Sequence, residues 1–476
     1  MKIPFVGQAY EARSLNLDAQ RCINLYPEFD PTGKWVSALF GTPGLDLLAT
    51  VGGGPIRGSE VMGSLLYVVS GAALYSVDST WTATLLGTMT SSISGPVSMA
   101  NNGWQVIIVD GKAGWLYTRT TGAFAKITDV DFPAQPLQVV YQDGWFIVTA
   151  VDTQAITINK TPDSGAVWTD GGTASASRQP DNIVSILSDH RELWLFGQLT
   201  TEVWYNSGNS DFPFEPIQGA FIEQGCAATF SACKMDNSVL WLGADNRGHG
   251  IVWRAQGYSP QRVSTHAIET AIAKYSTISD AQGYTYQDEG HTFYVLTFPT
   301  ADKTWVYDAT PPGTWHERAY MTPTNGSLHR HRSNSYSFFN RRHVVGDWET
   351  GELYGFSLDT YTDNGDYIRA VRRCQHIMSD LREIRHNQLQ IDFEAGVGLQ
   401  TGQGSSPQAM LRWSDDGGHT WSNEHWTTIG AAGKTTARAI WRRLGMSRDR
   451  IYELVLTDPV KRVILGATLD AQKARA

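Results

Sequence analysis

The sequence predicts an all-β protein, and three observations support this fold class. Aromatic residues make up 11% of the 476 residues, whereas charged residues make up only 18%. Glycine is abundant, at 46 residues, and no amphipathic helical pattern exceeds about two turns. Short aromatic strands joined by glycine-rich turns are typical of β-sandwiches, barrels and propellers, and the low charge argues against disorder.

The first element is a hairpin that recurs through the middle of the chain. Each copy has a polar turn, an apolar strand, a short loop and a second strand rich in Trp or Tyr. Seven copies lie at 63–78, 103–118, 144–159, 191–206, 238–254, 291–308 and 341–357. Equivalent residues are 39 to 53 positions apart, which is the spacing of four-stranded propeller blades. We therefore predict a β-propeller of about seven blades over residues 51–360.

Two further segments flank the propeller. Residues 1–50 resemble an extended N-terminal arm, which either completes the last blade or packs on the C-terminal module. Residues 361–476 contain longer strand-like runs interrupted by a loop at 402–407, and they predict a β-sandwich-like module. Short helices are expected at 265–273 and 435–444.

The net charge of −9 is unevenly distributed along the chain. Residues 1–316 contain 17 Lys and Arg against 29 Asp and Glu, whereas residues 317–476 contain 21 against 18. An acidic body repels phosphate, which argues against tight wrapping of DNA, and it also repels its own copies. We therefore expect the arginine-rich 361–476 module, with the arm, to form the platform on which copies join into a ring. The basic run 329–343 is interpreted as a solvated or subunit-contact face rather than a nucleic-acid site.

Signals for catalysis or cofactor binding are weak. The cysteines are scattered without a CxxC pair and are expected to be buried or free thiols: Cys22, Cys226, Cys233 and Cys374. No nucleophile elbow, HExxH, P-loop or dinucleotide fingerprint is present. We therefore expect no catalytic residue, no cofactor and no metal site. A signal-peptide pattern and an uninterrupted apolar span are also missing, so no stable membrane insertion is expected.

One motif stands out, in the stretch SDDGGHTW at 414–421. Ser414, Asp416, Gly418, Thr420 and Trp421 match the Asp-box, a hairpin turn of sialidase-like propellers. In this motif the Asp side chain accepts hydrogen bonds from the backbone amides of the turn. The glycine takes a backbone angle that other residues resist, and the tryptophan packs under the hairpin. We interpret these five residues as a structural turn. The alternative is a sialidase-like propeller that binds or hydrolyses glycans, which requires clustered arginines or paired acids at the axis.

The N-terminal run 3–28 carries a family resemblance. Its matching parts are PFVG, YEARS at Tyr10–Ser14, DAQRC at Asp18–Cys22 and INLYPE at Ile23–Glu28, followed by GTPGL at Gly41–Leu45. They resemble the start of the packaged-DNA stabilisation proteins of short-tailed bacteriophages (podoviruses), which are tail hub or nozzle subunits. The chain length, the hairpin repeat and the SDDGGHTW segment agree with this family, so the resemblance covers most of the chain.

The resemblance implies a structural protein of the virion tail, made in the host cytoplasm and without enzymatic activity. Members form a ring, typically a hexamer, below the portal and adaptor proteins, where they extend the DNA channel and carry a tail needle or plug. The implied partners are other copies of the chain, the head-to-tail adaptor, the portal ring, the needle, and tailspike or fibre proteins. Genomic DNA would pass through the lumen without tight specific binding, be retained after packaging and be conducted outwards at ejection. A scaffold propeller unrelated to phage is the remaining alternative.

Overall fold

The computed structural model describes residues 1–176, 178–245, 247–379 and 382–473. Within these ranges the chain forms 45 strands and one short helix, which confirms the all-β class. Across the same ranges, no helix has the length and apolar character needed to cross a membrane.

The N-terminal arm is built from six strands. They are β1 (Lys2–Ile3), β2 (Tyr10–Glu11), β3 (Ala19–Ile23), β4 (Leu25–Phe29), β5 (Ser37–Gly41) and β6 (Gly44–Thr50). The arm is therefore strand-forming over most of its length, and each of its strands pairs with a strand of the arm or of another part of the chain.

Six blades follow, and each is an antiparallel meander of four consecutive strands within the described residues. Blade 1 contains β7 (Ile56–Met62), β8 (Leu65–Ser70), β9 (Ala73–Val77) and β10 (Ala83–Thr88). Blade 2 contains β11 (Ser98–Asn101), β12 (Gln105–Val109), β13 (Gly114–Thr118) and β14 (Ala123–Lys126). Blade 3 contains β15 (Pro136–Gln142), β16 (Trp145–Ala150), β17 (Ala155–Ile158) and β18 (Thr173–Ser175).

The remaining three blades have the same order. Blade 4 contains β19 (Ile183–Asp189), β20 (Glu192–Gly197), β21 (Thr201–Asn206) and β22 (Phe214–Ile222). Blade 5 contains β23 (Cys233–Met235), β24 (Ser238–Ala244), β25 (Gly250–Gln256) and β26 (Ser259–Arg262), and is followed by helix α1 (His266–Ile272). Blade 6 contains β27 (Gln282–Asp288), β28 (His291–Phe298), β29 (Lys303–Asp308) and β30 (Thr314–Met321), with β31 (Leu328–Arg330) beside β30.

Tight turns join the first two strands of several blades. Asp143 and Gly144 connect β15 to β16 with φ angles of 50° and 91°, and His190 and Arg191 connect β19 to β20 with 48° and 66°. Two successive left-handed residues match the twist of antiparallel strands, which explains the polar turn in the sequence repeat.

A composite sheet closes the ring of blades. Its strands are β32 (Ser333–Phe339), β33 (Arg342–Asp347) and β34 (Glu352–Ser357), followed by the arm strand β6. β6 pairs antiparallel with β34, with Leu45 opposite Phe356. The expected count of about seven blades is therefore corrected. Six blades are built from consecutive strands, and the seventh repeat, 341–357, contributes to a sheet that needs residues 44–50 from the arm. A count of hairpins does not show which distant strand completes a sheet.

Apolar clusters fill the spaces between successive sheets. Tyr67 of blade 1 and Tyr117 of blade 2 share one cluster, with their ring centroids 5.5 Å apart. Phe196 of blade 4 and Trp241 of blade 5 are 5.4 Å apart in another. The composite sheet packs on blade 1 in the same way. Because a single blade would leave both faces in water, burial between neighbours holds the ring together.

The C-terminal strands form a β-sandwich, as predicted. After β35 (Thr362–Asp363) and β36 (Asp366–Tyr367), which extend the composite sheet, the strands are β37 (Ala370–Arg373), β38 (Ile377–Met378), β39 (Ile384–Phe393), β40 (Gln408–Ser414), β41 (His425–Thr428), β42 (Ala439–Arg442), β43 (Met446–Ser447), β44 (Asp449–Leu456) and β45 (Val463–Lys473). One sheet has the order β4-β5-β45-β39-β42, with β1 beside β45 and β43 beside β39. The other runs β3-β37-β44-β40-β41, with β38 beside β44. Leu389 and Leu454 contribute to the core between them.

The arm joins the propeller to the sandwich. Ile23 of β3 pairs in parallel with Glu317 of β30 and antiparallel with Val371 of β37, so that one sheet of 12 strands runs from blade 6 into the sandwich. Both alternatives for the arm are therefore realised, since β6 completes the composite sheet while β1, β4 and β5 pair within the sandwich. The buried Arg372 donates to the carbonyl oxygens of Phe5 and Gln8 at 2.6 and 3.1 Å, which holds the start of the arm.

The two predicted helices have different outcomes. The first is confirmed as α1, where the Thr265 side chain accepts a hydrogen bond from the Ile268 amide as an N-cap. The second is wrong, because residues 439–442 form β42. Ala439 and Trp441 alternate into the core, and pairing with β39 outweighs local helix preference.

Candidate functional site

The turn after β40 brings the five Asp-box residues together. The Asp416 carboxylate accepts hydrogen bonds from the amides of His419 and Thr420 at 3.0 and 2.9 Å and from the Thr420 hydroxyl at 2.6 Å. The Ser414 hydroxyl donates to Asp416 at 2.7 Å and accepts from the Gly418 amide at 2.8 Å. Hydrogen bonds from Thr420, first from its hydroxyl, hold the pKa of Asp416 well below its usual range. The carboxylate is therefore engaged by its own turn.

The two other residues of the motif support this geometry. Gly418 has a φ of 94°, in the region that side chains resist. The Trp421 ring lies beneath two guanidinium groups, with the Arg373 and Arg412 carbons 4.7 and 4.9 Å from the ring centroid. Such cation–π contacts anchor the turn to the sheet that carries both arginines.

The two arginines over this tryptophan, Arg373 and Arg412, form an ion cluster with the buried Glu453. Glu453 is 1% exposed and accepts from Arg373 Nε and Nη2 at 3.0 and 2.8 Å and from Arg412 Nε at 2.7 Å. Burial alone would raise the pKa of Glu453, but the two guanidinium groups outweigh it and hold the pKa below its usual value. A carboxylate shared by two arginines keeps all three charges compensated on the face of this sheet that points away from the sandwich core, since the adjacent Tyr452 and Leu454 point into that core.

No local sequence pattern indicates this cluster. Its members lie on three strands and become neighbours through register, since Glu453 is opposite Arg373 in β37 and opposite Arg412 in β40. A bidentate ion pair also connects the turn to β44, because Arg450 Nε and Nη2 donate to the Asp415 carboxylate at 2.6 and 2.7 Å. Nothing short of the strand pairing would reveal either contact.

The propeller axis is lined by the first strand of each sheet, and its polar groups are joined to one another. Ser59 and Ser337 hydroxyls are 2.8 Å apart, and the Asn101 amide donates to Glu60 at 2.6 Å. Burial raises the pKa of Glu60 to about 7, against the opposing effects of Asn101 and Lys234. The Arg57 guanidinium donates hydrogen bonds to the backbone carbonyl oxygens of loop residues. Among the described residues, the first strands therefore carry the half-buried Glu60 but no cluster of arginines such as a sialidase requires.

The basic run 329–343 is largely used within the chain. His329 contacts Asp302 at 2.7 Å, Arg330 lies 3.9 Å over the Trp348 ring, and Arg332 pairs with Asp347 at 2.9 Å. His331 is buried, and burial lowers its pKa to about 3. The cations that remain exposed in this run are Arg341 and Arg342, at the β32–β33 turn.

Metal-binding groups do not assemble in the part of the chain that the structure describes. No set of three or more His, Cys, Asp or Glu side chains there has the arrangement of a metal site. The four cysteines are free thiols, and burial raises the pKa of Cys226 to about 11.

Several solved structures resemble this chain only distantly. The N-terminal domain of Nup159 matches at 9% identity and a TM-score of 0.41, covering 70% of this chain and 98% of that one. Virginiamycin B lyase from Staphylococcus aureus matches at 10% identity and a TM-score of 0.43, with 70% and 98% covered. The computationally designed Ika8 protein matches at 11% identity and a TM-score of 0.39, with 66% and 100% covered. At these TM-scores none of the matches carries an argument about this chain.

Family models account for nearly the whole chain. A comparison with curated protein sequences gave no significant match. The model described as Bacteriophage P22 Gp10, β-propeller, matches residues 1–361, and the model described as Bacteriophage P22 Gp10, β-sandwich, matches residues 371–472. The two matches coincide with the two parts of the structure and with the resemblance of the N-terminal run. The chain therefore belongs to the bacteriophage P22 Gp10 family, whose members are phage structural proteins that stabilise packaged DNA.

Proposed function

We propose that this protein is the tail hub or nozzle subunit of a short-tailed phage. Its copies form a ring, typically of six, below the portal and adaptor proteins, and the ring extends the DNA channel and carries the needle or plug. The observation that supports this proposal is family membership over residues 1–361 and 371–472, which makes the chain a structural component of the virion.

The charge distribution fits such a conduit. Residues 1–316 contain 17 Lys and Arg against 29 Asp and Glu. An acidic wall repels the phosphate backbone, so that DNA slides past without being held, whereas a basic wall would bind it in a salt-dependent manner. Retention then depends on a plug and a narrow exit rather than on affinity for DNA.

The conduit lies between subunits rather than along the propeller axis. Hydrogen bonds between the inner strands, such as Ser59 to Ser337 and Asn101 to Glu60, join the polar groups that line this axis. The sandwich and the arm form the ring platform, because they carry the arginine-rich part of a chain whose body is acidic. Tailspikes or fibres attach to the outside of the same assembly.

Cryo-electron microscopy of the virion tests this assignment. The propeller-and-sandwich fold should be found as a closed ring between the adaptor and the needle, with the lumen between the copies. A map in which this fold is outside the tail, or is present as single copies on the head, contradicts the proposal.

A further inference from the structure

A cluster of exposed cations covers one end of the sandwich. We call it the arginine patch; it consists of Arg385, Arg442, Arg443 and Arg448, all exposed. Arg385 lies opposite the half-exposed Met446 across β39 and β43, and Arg442 lies opposite Gln388 across β39 and β42.

The arginine patch is poorly neutralised within its own chain. Arg448 approaches Glu383 at 3.9 Å, and Arg442 donates to the neutral Gln388 at 3.3 Å. The segments 382–390, 442–449 and 468–473 contain six Lys and Arg against three Asp and Glu, of which Asp449 is engaged by His376 at 2.7 Å. The surrounding excess of cations on a chain of net charge −9 indicates a surface that meets an acidic partner.

The propeller of the same chain carries a region with an excess of acidic residues. Residues 127–224, which include blades 3 and 4, contain 13 Asp and Glu against three Lys and Arg. We call Asp211, Glu215 and Glu223, which flank or lie on β22, the acidic edge. Among the described residues, Asp211 and Glu215 accept hydrogen bonds from Ser210 and Asn209 at 3.4 and 3.3 Å. The cation that contacts β22, Arg178, donates to the Ile217 carbonyl oxygen at 3.3 Å. Because β22 is the outer strand of blade 4, this edge faces away from the propeller axis.

The two surfaces lie on different sides of the molecule. The sandwich is joined to blade 6 and to the composite sheet, and the blades follow one another around the axis in chain order. Blade 3, with blade 4 next to it, is therefore across the axis from the sandwich. Two complementary surfaces on different sides of one subunit produce a head-to-tail contact, which closes into a ring when the rotation permits.

We propose that the arginine patch of one copy docks on the acidic edge of the next copy. This inference rests on the proposed ring, and it specifies that the sandwich platform of one copy binds the acidic propeller of the next copy rather than a second platform. Each subunit contributes its patch to one neighbour and its edge to the other, so that charge attraction sets the direction of assembly. Arginine and methionine are also enriched at protein interfaces, which favours a protein partner over a phosphate backbone.

Charge reversal tests the pairing in the full-length protein. One variant reverses the whole patch (Arg385→Glu, Arg442→Glu, Arg443→Glu and Arg448→Glu), and its counterpart reverses the whole edge (Asp211→Lys, Glu215→Lys and Glu223→Lys). Lys112→Glu with Arg119→Glu and Lys126→Glu is the matched control, because it reverses three exposed cations on blade 2, outside both surfaces. Circular dichroism verifies folding, and sedimentation velocity at about 50 mM and about 500 mM salt measures self-association, since exposed charge pairs are screened over this range. A fluorescent DNA duplex is titrated in parallel.

The expected result is specific to the mixture of variants. Each reversed variant alone should associate at least about tenfold more weakly than wild type, because like charges then face each other. An equimolar mixture should recover association, since every patch again meets an edge of opposite charge, and the control should behave as wild type.

Other outcomes overturn the inference in distinguishable ways. If wild type forms rings and both reversed variants do so equally well, the docking surfaces are wrong while the proposed ring stands. If reversal of the patch weakens duplex binding and leaves association unchanged, the patch contacts DNA instead. Wild type that remains monomeric under all these conditions contradicts both the inference and the ring.

Discussion

Glu453→Gln is the substitution that most sharply tests the buried ion cluster of the sandwich. The variant keeps the size of the side chain and removes its charge. Arg373 and Arg412, which donate to Glu453 at 2.7 to 3.0 Å, are then left with a neutral acceptor that cannot satisfy both. Two guanidinium groups also remain close to each other without the anion that compensated them.

The expected loss of stability is large. Removing one partner of a buried ion pair costs about 3–5 kcal/mol, because an uncompensated charge stays inside the protein. The pKa of Glu453 is lowered in the folded chain, so its stabilisation is fully present above the pKa of the unfolded chain and is lost as pH falls through the folded pKa. Wild type therefore loses this contribution at acidic pH. The difference in the free energy of unfolding between wild type and Glu453→Gln should become smaller there.

Urea unfolding of the full chain at neutral and acidic pH measures this difference. The matched control is Glu394→Gln, since Glu394 forms an exposed pair with Lys461 at 2.9 Å and such pairs contribute about 0–1 kcal/mol. Joint replacement of Glu453 by Leu and of both arginines by Met should recover most of the stability. A Glu453→Gln loss no larger than that of the control refutes the account of the cluster.

Three further predictions concern the turn, the ring closure and DNA. Asp416→Ala should lower the thermal midpoint of unfolding, because the amides of residues 419 and 420 lose their hydrogen-bond acceptor. Hydrolysis of sialosides should be undetectable in wild type and in the variant. If wild type hydrolyses sialosides and a folded Asp416→Ala variant does not, the interpretation as a structural turn is contradicted. Gly44→Ala should lower the free energy of unfolding by about 1–3 kcal/mol in a denaturant titration, since an added methyl carbon would lie 2.3 Å from the Thr360 carbonyl oxygen. The control Gly53→Ala should leave the free energy of unfolding unchanged, because the space around Gly53 is open. Equal effects of the two substitutions contradict closure by β6. The free subunit should bind duplex DNA only weakly at physiological salt, and tight binding with a steep salt slope argues against a repelling wall.

Local patterns were sufficient to predict the repeating part of the fold. Aromatic hairpins at a regular spacing predicted the propeller, and the turn chemistry around Asp416 was readable because all its contacts lie within six residues. The family resemblance likewise rested on a continuous run, 3–28.

The pairing of strands that are far apart in the chain could not be predicted from the sequence. Whether residues 44–50 close the propeller depends on contacts with residues about 300 positions away, and no local signal records them. The second predicted helix failed for a related reason, because the partner strand β39 decided the conformation of residues 439–442. The Glu453 cluster needed the register of three strands, which hydrophobic alternation alone does not specify for charged residues.

DNA retention in heads made without this protein tests the central claim most directly. Phage carrying a nonsense mutation early in the gene should still fill their heads, because packaging runs through the portal before the tail is added. The filled heads should then release their DNA, since nothing closes the channel against the pressure of bent, like-charged DNA. Nuclease sensitivity of the encapsidated genome, with supply of the protein in trans as control, measures the loss. Heads that stay full and nuclease-resistant without the protein contradict its role in retaining the genome.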